Sequence, residues 1–164
     1  MAPSPSSRRS STTRSPGVLT SPVNYNYTGD GVDVFVKLDV GAWRPSATHY
    51  KAKGLGTTGL FVNGSFADGH TRDSEGYMAQ VTYKFGPVKL GVNCGDSKLD
   101  SANSTDAGFN PGLVESNKKG TIGAYWSLTK NLTLLAEASR TKSEAQAGGS
   151  NQSNTFNIGA FVGF

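Results

Sequence analysis

The chain of 164 residues has one cysteine, Cys94, so no internal disulfide is possible. No metal-ligand cluster surrounds it, and the two histidines, His49 and His70, have no neighbours in sequence suited to metal or acid–base chemistry. No cofactor or metal is expected. No run of about 18 apolar residues exists, so a membrane-spanning helix is excluded. Charged residues make up 17% and hydrophobic residues 35%, both low for a globular domain. A soluble domain this poor in apolar side chains would struggle to offset the conformational entropy of folding. Disorder would come with more charge and fewer aromatics than the 10% present. A transmembrane barrel fits these shortages, because only every second strand residue meets lipid while the other face can be small and polar.

Other functional classes leave little trace. The net charge is +4, but Arg8, Arg9 and Arg14 precede any acidic residue and the remainder is close to balanced. A nucleic-acid partner is therefore not expected. Gly54-Leu55-Gly56-Thr57-Thr58-Gly59 spaces its glycines wrongly for a dinucleotide fingerprint and lacks a following Lys-Ser/Thr pair. No strained nucleophile turn is present, and the chain is not expected to be an enzyme. Residues 1–22 (MAPSPSSRRSSTTRSPGVLTSP) carry arginines but no apolar core segment, so they do not read as a secretory leader. Their Ser/Pro/Arg-rich composition predicts a disordered segment.

What the chain does have is a period of two. Phe156, Ile158, Ala160, Val162 and Phe164 alternate with Thr155, Asn157, Gly159, Phe161 and Gly163. Side chains alternate across a pleated backbone, so this is a strand, of the length that a tilted transmembrane strand needs. The pattern recurs at 31–41, 77–85, 88–95, 121–128 and 132–139, where Leu135 is an apolar intruder on the polar face. Two hairpins close through short turns, at Gly86-Pro87 and Lys130-Asn131, while long polar loops are expected at 54–75, 96–118 and 142–153. Short turns at one end and long loops at the other mark transmembrane barrels. Less distinct strands at roughly 23–28 and 47–53 bring the total to eight, with Leu60-Phe61-Val62 strand-like inside a loop. The organisation expected is a disordered 1–22 followed by an antiparallel transmembrane β-barrel over 23–164.

The chain from about Lys51 onward resembles the C-terminal half of Gram-negative general porins. The resemblance rests on KGLGTTGLF (53–61), RDSEGYMAQVTYKFGPVKLGV (72–92), IGAYWSLTKNLTLLAEASRTKSEA (122–145) and TFNIGAFVGF (155–164). The last stretch also resembles the barrel-insertion signal of outer-membrane proteins, carried by Phe156, Ile158, Ala160, Val162 and Phe164. The resemblance implies part of a sixteen-stranded, homotrimeric barrel in the outer membrane that passes small hydrophilic solutes and ions. It implies contact with outer-membrane lipid and lipopolysaccharide and with the barrel-assembly machinery. At about half the length such porins have, the sequence suggests a truncated or frame-shifted form.

In such a channel the working surface is the lumen wall, where charged side chains set ion preference. By alternation the inward charges are Asp33, Lys37, Asp39, Lys84, Lys89 and Glu137. Trp126, Tyr83, Phe85 and Phe164 fall near strand ends on the outward face, suited to an interfacial aromatic girdle, and Trp43 is placed in a turn. Two alternatives remain at this stage. One is a closed eight-stranded outer-membrane barrel with a packed interior, serving as an anchor or surface-binding module. The other is a soluble β-barrel holding a ligand inside.

Overall fold

The computed structural model describes residues 7–14, 26–56 and 63–164. They form one antiparallel sheet whose strands follow chain order: β1 (Ser7–Arg14), β2 (Asn26–Lys37), β3 (Trp43–Lys53), β4 (Asp73–Phe85), β5 (Val88–Leu99), β6 (Val114–Ser127), β7 (Leu132–Ala145) and β8 (Ser150–Val162). A single helical turn, α1 (Ser104–Phe109), lies between β5 and β6. Each strand pairs only with its neighbours in sequence. Among the described residues no ladder joins β8 back to β1, so the sheet is an open arc rather than a closed eight-stranded barrel.

The eight strands expected from the sequence differ from these at their ends. The segments read as strands near 23–28 and 31–41 form a single strand, β2, with residues 23–25 outside the described set. Residues 7–14, inside the segment read as disordered, pair with β2. Strands β4 to β8 run several residues further toward the loop end than the alternation of apolar side chains does. The loop expected at 96–118 shrinks to 100–113, and that at 142–153 to a four-residue turn, 146–149. The reason is physical: outside the apolar band both faces of a strand can be polar, so period two persists in the backbone but disappears from the sequence. The strand-like Leu60-Phe61-Val62 lies outside the described residues.

Turn chemistry fixes the register. Gly86 takes φ 55° ahead of Pro87, the positive angle that a tight two-residue hairpin of the II′ kind demands of its first turn residue. With Gly86 there, Phe85 faces Val88 and Lys84 faces Lys89. Between β6 and β7 the Thr129 hydroxyl accepts from the backbone N–H groups of Asn131 and Leu132, at 3.2 and 3.0 Å, closing the turn.

A consistent register carries the apolar positions across the whole sheet. One rung reads Pro45, Val81, Val92, Ile122, Ala138, Phe156. The next reads Trp43, Tyr83, Leu90, Ala124, Ala136, Ile158, and the one after it Phe85, Val88, Trp126, Leu134, Ala160. These rungs share one face, and nothing among the described residues covers it: Ile158 is 76% exposed, Phe156 71% and Phe85 71%. Among the described residues only Tyr27 and Leu99 are buried apolar side chains. Trp43, which the sequence placed in a turn, begins β3 and packs on Tyr83 with ring centroids 4.6 Å apart.

Candidate functional site: the polar face and its mouth

The opposite face is hydrophilic along its length. Its rungs include Lys37, Ser46, Gln80, Asn93, Thr121, Ser139, Thr155, then Arg44, Thr82, Gly91, Gly123, Glu137, Asn157, then Lys84, Lys89, Tyr125, Leu135, Gly159. Leu135, the apolar intruder, stands beside Gly159, where a Cβ would lie 3.6 Å from its Cδ1. The glycine leaves room for the leucine to lie along the wall.

Of the six charges expected on this face, Asp33, Lys37, Lys84, Lys89 and Glu137 occupy strand positions there. Asp39 lies two residues past the end of β2 but on the same face: the Leu38 N–H donates to the Pro45 carbonyl and Val40 bridges to Trp43, which sets Asp39 opposite Arg44, ion-paired at 2.7 Å. Two further cations on the face, Arg44 and Lys119, escaped the sequence reading because β3 and β6 begin earlier than the apolar pattern indicates. The charges of this face are thus mainly basic: Lys37, Arg44, Lys84, Lys89 and Lys119 against Asp33, Asp39 and Glu137.

Near the turn end these side chains form a connected group. The Lys89 ammonium stands 4.7 Å from the centre of the Tyr125 ring, and the Tyr125 hydroxyl donates to Glu137 Oε1. Gly91 and Gly123 face each other beneath the ring. A Cβ on Gly123 would meet the Tyr125 hydroxyl at 3.1 Å and its Cε2 at 3.3 Å, so the missing side chain lets the ring lie against the strand.

At the loop end, segments 54–56, 63–72 and 100–113 are tied to each other. Arg72 makes a bidentate pair with Asp106, Nε to Oδ2 at 2.7 Å and Nη2 to Oδ1 at 2.6 Å, with both side chains buried. Its remaining arm donates to the Asn63 carbonyl at 3.1 Å. Asp106 also accepts from the Ala102 N–H at 2.9 Å and from Asn110 Nδ2 at 2.7 Å. The Arg72 guanidinium, helped by those donors, holds the Asp106 carboxyl at about 2, well below its ordinary 3.8. A second link runs from Asn103 Nδ2 to Asp68 at 2.8 Å, and Asp68 also takes the backbone N–H of His70 at 3.0 Å. His70, read from sequence as lacking a partner, has its Nδ1 3.1 Å from Asp68 Oδ2. Arg72 and Asp106 are 34 positions apart, and no local pattern announces their contact.

In the segment expected to signal insertion, Phe156, Ile158, Ala160 and Val162 all point to the apolar face of β8. Phe164 follows beyond the strand's end and is fully exposed.

No family model matches the sequence, and none of the curated proteins is similar to it. The fold, however, matches the crystal structure of the outer membrane channel DcaP of Acinetobacter baumannii, with a TM-score of 0.73 at 19% identity. The match covers 84% of this chain and 41% of the channel's, so the chain spans about two fifths of that channel's length. The chain therefore has the fold of a stretch of an outer-membrane β-barrel channel wall.

Proposed function

We propose that the chain forms an arc of the wall of a passive diffusion channel in a bacterial outer membrane, of the porin kind, for small hydrophilic solutes and ions. The observation that carries this reading is the uncovered apolar face. Rung after rung of Val, Leu, Ile, Ala and aromatic side chains lies exposed across seven strands. Water tolerates no contiguous patch of that extent, whereas lipid does. The strands that carry it, β2 to β8, are 11 to 14 residues long, enough to cross a bilayer when tilted. Trp43, Tyr83, Phe85 and Trp126 gather on that face toward the turn end, where a girdle at the interface belongs.

On this reading the polar face borders water, and Asp33, Lys37, Lys84, Lys89 and Glu137 set the field that solutes meet. The loops tied by Arg72 and Asp106 stand at the outer mouth. A closed eight-stranded anchor is less well supported. Its narrow interior would have to be filled by side chains, yet the polar face carries Gly31, Gly76, Gly91, Gly95, Gly123 and Gly159, and the two edge strands do not meet. Free edges cannot persist in hydrocarbon, so further strands must continue the arc, and in the refolded protein other copies of the chain supply them.

The test is planar-bilayer conductance of the detergent-refolded chain. Discrete current steps that scale with salt are expected. A flat trace from protein shown to be inserted would overturn the channel reading.

A further inference from the structure

We propose that Lys84 and Lys89, backed by Tyr125, form an anion-binding step on the channel wall, and that the channel passes compact anions in preference to cations. The proposal rests on the channel reading above. Lys84 and Lys89 stand directly opposite each other on β4 and β5, one rung from the Gly86-Pro87 turn, and both are exposed on the polar face. Like charges in that relation destabilise a sheet. Three other strand lysines are neutralised: Lys51 with Glu75 at 3.4 Å, Lys53 with Asp73 at 3.7 Å, Lys142 with Glu144 at 2.7 Å. Among the described residues no carboxylate lies within ion-pair distance of Lys84 or Lys89.

The carboxylate best placed to quench the pair is held away from it. Glu137 accepts the Tyr125 hydroxyl, and the Tyr125 ring stands between that carboxylate and the Lys89 ammonium. Gly123 is what allows the ring to lie there. The two ammonium groups thus keep their charge available to solvent. A chloride, carboxylate or phosphate oxygen arriving between them relieves their repulsion and gains charge-assisted hydrogen bonds. Lysine suits a conducting step because its flexible point charge holds an anion without the fixed fork of arginine. Arg44, already paired with Asp39, adds little there.

The experiment is the reversal potential of the refolded chain in planar bilayers under a potassium chloride gradient. The expected result is a chloride preference that falls by about threefold or more in the double variant K84Q/K89Q. K84R/K89R keeps the preference. K118Q, a lysine of β6 on the opposite face, leaves it unchanged. Y125F, which releases Glu137 while retaining the ring, lowers it. A cation preference in the parent chain, or an unchanged ratio in K84Q/K89Q, overturns the proposal. Chloride binding is also read without conduction, as broadening of the chloride-35 resonance by detergent-refolded protein. Broadening that is weaker in K84Q/K89Q supports the site even where the bilayer is silent and only the channel reading falls. Equal broadening in the two proteins overturns it.

Discussion

Replacing Ile158 by arginine is the sharpest probe of which face meets lipid. Ile158 lies near the middle of the outward series Phe156 to Val162, opposite Ala136 on β7, and is largely exposed. A new side chain there displaces no packed neighbour, so its effect reports the surrounding medium. At mid-bilayer an outward arginine costs about 2–4 kcal/mol, which is roughly thirtyfold to several hundredfold in the folding equilibrium. Asn157, one residue earlier, faces Glu137 across the ladder. Arginine at that position meets water and an opposing carboxylate, and the expected cost is below about 1 kcal/mol. Urea unfolding of both variants in lipid vesicles, followed by tryptophan fluorescence, measures the difference. Equal destabilisation at the two positions would refute the assignment of faces, and with it the reasoning that leads from register to membrane.

Three further outcomes are expected. Arg72→Ala strands a buried carboxylate and should disfavour the closed loop arrangement by about 3–5 kcal/mol, seen as rapid protease cleavage within 100–113 while the strands stay protected. Because the Asp106 carboxyl is held at about 2 in the folded chain against an ordinary 3.8, its contribution is complete above the higher value and is lost as pH falls toward the lower. Loop cleavage by pepsin should therefore rise between about pH 4 and pH 2 in the parent chain and show no such step in Asp106→Asn. Gly76→Ala places a Cβ 2.6 Å from the Tyr50 ring and 2.8 Å from the Asp96 carbonyl, so a loss of about 1–3 kcal/mol is expected in the same unfolding assay.

The sequence revealed the strands where one face had to be apolar and lost them where neither did. Phe156 to Val162, Val88 to Val92 and Leu132 to Ala138 were legible because lipid-facing positions tolerate few residue types. Their continuations, such as Asp96 to Leu99 and Lys142 to Ala145, read as loop because polar side chains there occupy both faces. The same blind spot hid Arg44 and Lys119 in the early parts of their strands. Tyr125 was visible as a polar-face position, but its link to Lys89 and Glu137 depends on register between strands. The Arg72–Asp106 pair joins segments 34 positions apart through bonds that leave no periodic trace.

The strict neighbour-to-neighbour order of the strands has a consequence for how such walls change size. No strand depends on one distant in sequence, so stability accrues approximately as a chain of local terms, as in a linear array of repeats. Inserting or deleting one hairpin preserves every other register and returns both ends of the chain to the same side. The bore of a barrel built this way is set by counting hairpins and not by repacking an interior. Its girth can therefore change by duplication without disturbing the chemistry of any existing rung.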